Sequence, residues 1–147
     1  MDKRQPMINK IKDWKDKNEI SKKSKEFLDK IILAIQNAKC KNRWDCTGKQ
    51  PLSEALKEAN KDFGGNIIFV SPKMATIFSK NGFILNVEGN VKDGYNVKDG
   101  YIKCGKFEDF DVYLYQYLSD KTILILKDDI FTSDNSECVF LYVDNIK

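Results

Sequence analysis

The chain has 147 residues, which is enough for one domain with a single hydrophobic core. Apolar residues make up 41% of it and charged residues 32%, a composition typical of a soluble protein. No apolar run approaches the roughly 20 residues that span a bilayer, so a membrane protein is not expected. Residues 1–18 are charged throughout and lack the apolar core of a signal peptide, which predicts an intracellular protein.

The net charge of +3 is unevenly distributed along the chain. Residues 1–50 hold 14 Lys and Arg against 7 Asp and Glu, whereas residues 51–147 hold 11 against 15. One interpretation is a basic arm that contacts nucleic acid or an acidic partner, and the other is a lysine-rich helix face in solvent. The candidate contact residues for the first interpretation are Lys10, Lys12, Lys15, Lys22 and Lys23.

The chain contains no histidine, so the commonest general base and the commonest metal ligand are both absent. Its four cysteines are Cys40, Cys46, Cys104 and Cys138, and their spacing does not form a paired CxxC zinc pattern. Free structural thiols are the first expectation, with a disulfide or a metal site as the alternative. We predict no metal and no cofactor.

Two amphipathic helices are predicted in the first 40 residues. Met7, Ile8, Ile11 and Trp14 recur at helical spacing, so the first helix ends before Asn18. Ser21 or Ser24 caps the second helix, whose apolar stripe consists of Phe27, Leu28, Ile31, Ile32, Ile35 and Ala38. A loop from Cys40 to Pro51 follows. It divides the chain into a basic helical arm, residues 1–50, and an α+β domain, residues 51–147.

The second domain is predicted to begin with a helix, which is followed by a strand that runs directly into a capped helix. Ser53 is the predicted cap of a third helix, which Gly64-Gly65 ends. The apolar run Ile67–Val70 then predicts a strand that is covered on both faces. We expect the Ser71 hydroxyl to accept a hydrogen bond from an amide of the next helix. Pro72 fits the first helical position, where no amide donor is needed.

An exact tandem repeat follows a short predicted strand, Phe83–Leu85. The sequence Asn-Val-Lys-Asp-Gly-Tyr occupies residues 90–95 and again residues 96–101. Each copy contains Asp-Gly, a strong turn pattern, so we predict an exposed hairpin or loop. The two aspartates are too few to form a calcium loop.

The remainder of the chain is predicted to be β-rich. In residues 110–118 apolar side chains alternate with Tyr113, Tyr115 and Tyr117, which places these tyrosines on the outer face of a strand. That face suits a stacking platform, a packed subunit contact or ordinary cross-strand pairing. Residues 122–126 and 138–143 predict two further strands. The order of elements indicates an α+β fold: amphipathic helices, then a strand–helix unit, then a mostly antiparallel sheet.

The sequence contains no pattern typical of catalysis. A Walker loop, a dinucleotide glycine fingerprint, GxSxG and HExxH are all missing. The acid pairs Glu108-Asp109 and Asp128-Asp129 fall in predicted turns, where carboxylates are solvated. Ser71 has neither flanking glycines nor a histidine to activate it. We therefore predict that the protein is not an enzyme.

From about residue 52 to residue 143 the chain resembles the C-terminal, axial-domain part of tailed-phage major capsid proteins of the HK97 fold, closest to the T4-like shell proteins. The resemblance is carried by the segments 56–60, 64–65, 66–75, 105–113 and 120–125, in matching order and at similar spacing. It implies an HK97-like capsid domain that assembles with copies of itself or with other capsid proteins. Catalytic residues, cofactors and a membrane are not implied.

The resemblance further implies a location in the virion, or in the host cytoplasm before assembly. Subunit contacts through Tyr113, Tyr115 and Tyr117 are the corresponding site hypothesis. The other hypothesis is a small cytoplasmic binding module, which uses its lysine-rich arm to contact nucleic acid or an acidic partner.

Overall fold

The computed structural model describes residues 3–46, 48–80, 84–85 and 100–146. Helices and strands are interleaved along the chain. In order they are α1 (Gln5–Lys17), α2 (Lys22–Gln36), β1 (Lys39–Cys46), α3 (Lys49–Asn60), β2 (Ile67–Val70), α4 (Pro72–Lys80), β3 (Ile84–Leu85), β4 (Tyr101–Phe107), β5 (Phe110–Tyr115), β6 (Thr122–Leu126) and β7 (Val139–Ile146). A short 3-10 turn, Asp128–Phe131, lies between β6 and β7. The predicted hairpin or loop of the tandem repeat falls mainly on residues 90–99, which lie outside the described residues.

The seven strands form one mixed sheet in the order β1-β7-β6-β2-β5-β4-β3. The pairs β1/β7 and β2/β5 are parallel, and the other neighbouring pairs are antiparallel. This arrangement confirms the α+β class predicted from the sequence. The central position of β2 explains its continuous apolar sequence, because a strand with neighbours on both edges and helices on both faces has no side chain in water.

Helices cover both faces of the sheet. Ile67 and Phe69 of β2 pack in the core beneath α1 and α2, while Ile68 and Val70 pack in the core beneath α3 and α4. All four side chains are at most 1% exposed. Burial of each such side chain contributes about 1.5–3 kcal/mol to folding. The sheet is therefore the middle layer of three.

The two N-terminal helices occupy the predicted positions and form one layer of this fold. Met7, Ile8 and Ile11 face the sheet from α1, and the apolar stripe of α2 lies beside them in the same core. Ser21 caps α2, since its hydroxyl oxygen accepts a hydrogen bond from the amide of Ser24. Lys15 of α1 forms an ion pair of 2.6 Å with Asp29 of α2. Residues 5–36 thus pack on the same sheet as the rest of the described chain.

Two predictions near the expected domain boundary are wrong. Residues 39–46 form strand β1, although a loop was expected from Cys40, and β1 pairs with β7 in parallel over its whole length. The sequence of β1 is polar and charged, so its strand conformation depends on a partner that is remote in sequence. Ser53 does not cap α3, because that helix begins at Lys49 and Ser53 lies inside it.

The later strands agree with the sequence except at their ends. Residues 122–126 form β6 as predicted, and β7 extends to Ile146, beyond the expected Val143. The tyrosine-containing strand β5 ends at Tyr115, because Gln116 and Tyr117 form a turn. The amide of Gln116 donates to the carbonyl oxygen of Gly100 at 3.0 Å.

Candidate functional site

Asn66 joins three strands at the centre of the sheet. Its amide donates to the carbonyl oxygen of Leu126, and its carbonyl oxygen accepts from the amide of Asp111. Its side-chain oxygen accepts from the amide of Asp128 at 2.8 Å. The segments around residues 66–71, 110–113 and 120–125 therefore form the three adjacent strands β2, β5 and β6.

Ser71 and Pro72 form the junction between β2 and α4. The hydroxyl oxygen of Ser71 accepts from the amide of Met74 at 3.0 Å, and its carbonyl oxygen accepts from the amide of Ala75 at 2.9 Å. Pro72 is the first residue of α4. Because Ser71 is 1% exposed and its hydroxyl serves the helix, this junction is a cap and offers no nucleophile.

The tyrosines expected on an outer face are covered by the chain's own helices. Tyr115 and Tyr117 are buried in the core between the sheet and the layer of α1 and α2, and Tyr113 is half-buried. The alternation along β5 was predicted correctly, but the face it creates points into the protein. The expectation of subunit contacts through an exposed tyrosine face is therefore corrected for Tyr115 and Tyr117.

Tyr113 belongs to an aromatic cluster that the sequence did not reveal. Its ring centroid lies 5.3 Å from that of Phe131 and 5.8 Å from that of Tyr101. Phe27 of α2 adds a stacked contact to Phe131 at 5.9 Å. Phe27, Tyr101 and Phe131 line one side of a cleft of about 640 Å³ between α2 and the segment 131–136.

Lys30 holds the far wall of this cleft in place. Its ammonium group donates to the carbonyl oxygens of Ile130 at 2.9 Å and of Ser133 at 2.5 Å. The lysine thereby satisfies carbonyl groups at the end of the 3-10 turn. We interpret Lys30 as structural, because its ammonium group already donates hydrogen bonds to two backbone carbonyl oxygens of the chain.

The five lysines predicted to contact nucleic acid do not form one surface. Lys15 is ion-paired with Asp29, and Lys23 lines the aromatic cleft beside α2. Lys12 and Lys22 are exposed. Lys10 lines a different cleft, and because it is two residues from Lys12 on α1 the two side chains point in different directions.

Strand β1 forms one edge of the sheet. Within the described residues its neighbour is β7 alone, so its other edge is open. The amide of Lys39 donates to the carbonyl oxygen of Cys138, on the β7 side. Backbone groups alternate along a strand, so the N–H and C=O groups of Cys40, Asn42 and Trp44 point towards the open edge.

The first four side chains of β1 leave this part of the open edge accessible. Lys39, Cys40, Lys41 and Asn42 are exposed. Arg43 is held by α3, with an ion pair of 3.2 Å to Glu58. Lys41, Arg43 and small side chains of α3 line a shallow cleft of about 380 Å³ beside the edge. Nothing in the local sequence indicated this edge, because strand pairing with β7 creates it.

The thiols of Cys40, Cys104 and Cys138 are free. Among the residues with described positions, no group of three or more Cys, Asp or Glu side chains is arranged to hold a metal ion. Burial raises the pKa of Cys138 to about 12, and its thiol donates to the carbonyl oxygen of Ala34 at 3.2 Å. This cysteine is therefore a neutral core residue.

No helix in the described part of the chain is long and apolar enough to cross a bilayer. Comparison of the chain with protein-family models, with curated proteins and with solved structures finds no match.

Proposed function

We propose that the chain is a structural subunit of a viral shell, with an HK97-like fold, and that it acts by assembling with copies of itself. The family part of this proposal is supported by the motif resemblance, whose segments correspond to β2, β5 and β6. The observation that carries the assembly part is the open edge of β1.

An open edge of this length is a template for another strand. The eight-residue strand β1 pairs with β7 on one side, and on the other side a row of N–H and C=O groups has no strand beside it in the described structure. Soluble monomers usually shorten, twist, cover or charge such edges, because backbone groups there pair readily with other chains. β1 is neither short nor covered by a described strand, and the charges of Lys39 and Lys41 lie along it. Added strands obtain affinity from main-chain hydrogen bonds.

A second copy of the chain offers a matching strand. If two β1 strands pair in antiparallel orientation about Arg43, Asn42 of each copy lies opposite Trp44 of the other, and the backbone N–H and C=O groups of both residues point to the shared edge. Arg43 meets its counterpart at the centre, but each guanidinium already has Glu58 of its own chain as a partner.

The state of assembly of the purified protein tests this proposal. We expect native mass spectrometry and electron microscopy, at low and at high salt, to show rings, sheets or shells without nucleic acid. A protein that remains a monomer at every concentration and salt would contradict it.

The role of the edge is tested by Asn42→Pro. Proline removes an amide that points to the open edge and leaves the hydrogen bonds to β7 intact, so the variant should fold and remain monomeric. Asn42→Ala is the matched control, since it keeps the backbone amide and should assemble like the wild type. If Asn42→Pro assembles normally, β1 is not the contact.

A further inference from the structure

A third cleft, on the opposite side of α1 from Lys12, is lined by lysines from three separate parts of the chain. Lys3 precedes α1, Lys10 lies in its second turn, and Lys121 lies in the turn before β6. The cleft has a volume of about 320 Å³. The other residues that line it are Pro6, Met7, Ser119, Asp120 and Tyr142.

The positive charge of this cleft is largely uncompensated. Among the described residues none of the three lysines forms a salt bridge, whereas Lys15 and Lys17 on α1 both do. Asp120 is the one carboxylate in the lining. The side chains of three exposed lysines and one aspartate thus border a cleft whose surface is mainly apolar.

The start of α1 adds to this positive potential. Pro6 and Met7 belong to its first turn, which contains no acidic residue, and the preceding Arg4 provides no side-chain cap. The first amides of a helix lack intrahelical acceptors, and the helix dipole makes this end positive. A helix of 13 residues that begins beside three lysines favours an anion with several oxygen atoms.

The lining also provides an aromatic surface. The ammonium group of Lys3 lies 4.8 Å from the centroid of the Tyr142 ring, in a cation–π contact. Met7 and Pro6 make the adjoining part of the cleft apolar. Inorganic phosphate alone would not use this apolar surface, whereas a nucleotide has both a charged and an aromatic part.

We infer that this cleft binds single-stranded nucleic acid, with a phosphate among Lys3, Lys10 and Lys121 and a base against Tyr142. The base takes the place of the Lys3 ammonium group on the ring, and that group moves to the phosphate. A single strand is favoured over a duplex because its bases are free to stack on a side chain. This inference is independent of the proposed assembly through β1.

Binding of a fluorescently labelled oligothymidylate, measured by anisotropy, tests the inference. With one phosphate held by these lysines, the logarithm of the affinity should fall with the logarithm of salt concentration with a slope of about −0.7. Replacement of Lys3, Lys10 and Lys121 by Gln should weaken binding about ten-fold or more and bring this slope close to zero.

The matched control replaces Lys12, Lys22 and Lys23 by Gln. It removes the same charge from exposed lysines of the N-terminal helices and should change the affinity less than about three-fold. Equal loss in both triple variants would mean that net charge alone attracts the oligonucleotide, and the inference would fail.

Two further measurements address the base and the type of ligand. Tyr142→Leu should weaken binding about five-fold or more with the salt slope unchanged, because stacking is lost and the phosphate contacts remain. A duplex or an anionic lipid vesicle should bind more weakly than the single strand. Equal or tighter binding of either, or competition by millimolar inorganic phosphate as effective as that by unlabelled oligothymidylate, would overturn the inference.

Discussion

The hydroxyl of Ser53 donates a hydrogen bond of 2.5 Å to Oε1 of Glu108, and so joins α3 to the turn between β4 and β5. The other carboxylate oxygen of Glu108 lies 3.8 Å from the ammonium group of Lys57. Glu108 has a φ of +54°, in a region of backbone conformation that residues other than glycine seldom adopt. The contacts with α3 thus fix the side chain of a residue whose backbone conformation is rare.

Removal of either partner should therefore lower stability. We expect Ser53→Ala and Glu108→Ala each to reduce the free energy of unfolding by about 1–2 kcal/mol, the lower part of the range for hydrogen bonds to charged groups, because this contact is only partly buried. The double variant should lose less than the sum, with a coupling energy of about 1 kcal/mol in denaturant titrations. Glu26→Ala, at an exposed position of α2, is the control. Strict additivity of the two changes would show that the contact contributes nothing.

In the turn from α3 to β2, replacement of two neighbouring glycines by alanine should lower the free energy of unfolding by different amounts. A methyl group at Gly65 would lie 2.8 Å from the carbonyl oxygen of Leu126 and 2.7 Å from a methyl group of Ile125, whereas one at Gly64 meets nothing within 4 Å. Gly64→Ala should cost about 1 kcal/mol, because its φ is +73°. Gly65→Ala should cost about 2–3 kcal/mol, since the backbone must move. Thermal and denaturant unfolding measure both losses of stability. A larger loss for Gly64→Ala than for Gly65→Ala would contradict this prediction.

Cys138 predicts a loss of stability in alkaline solution. Burial raises its pKa from 9.0 to about 12 in the folded protein, so above pH 9 the unfolded chain loses a proton that the folded chain keeps. The free energy of unfolding should therefore fall as pH rises from 9, by up to about 1.4 kcal/mol per pH unit for this thiol. Cys138→Ala should reduce this slope and leave the part due to Cys104, whose pKa burial raises to about 11, whereas Cys40→Ala, at an exposed thiol, should leave the slope unchanged. Measurement between pH 8 and pH 10.5 decides the matter.

Deletion of one copy of the tandem repeat should leave the fold intact. Because the copies are identical, loss of residues 90–95 leaves the sequence before β4 unchanged, including Gly100 and Tyr101. The connection between the antiparallel strands β3 and β4 remains longer than the two residues that a hairpin needs. We expect a change in the free energy of unfolding below about 1 kcal/mol. A larger loss would show that the first copy makes contacts of its own.

Elements whose pattern is local were predictable from the sequence. The strand Ile67–Val70 and the cap Ser71 depend on neighbouring residues, and the apolar stripe of α2 repeats within one helix. β1 was missed because its polar sequence becomes a strand only beside β7. The two strands are far apart in the sequence, since Lys39 pairs with Val139. The alternation of tyrosines in β5 was visible, but the helices that cover this face are distant in sequence.

The candidate sites, too, were predictable only where they depend on residues that are close in the sequence. Lys10 was identified from the charge of the N-terminal segment, but its neighbours in the cleft, Lys121 in the turn before β6 and Tyr142 in β7, lie far later in the sequence. Composition reports how many lysines a segment has, and it does not report which of them share a cleft. The open edge of β1 is a property of the sheet as a whole, so no residue pattern within β1 predicts it.

The pairing of β1 with β7 has a consequence for the time at which the chain becomes able to assemble. During synthesis residues 39–46 leave the ribosome long before residues 139–146, and until β7 arrives they have no neighbouring strand among the described elements. The edge that we propose as the subunit contact therefore forms late. A nascent or prematurely terminated chain does not display it, so under the proposed function incomplete subunits would be kept out of the growing assembly.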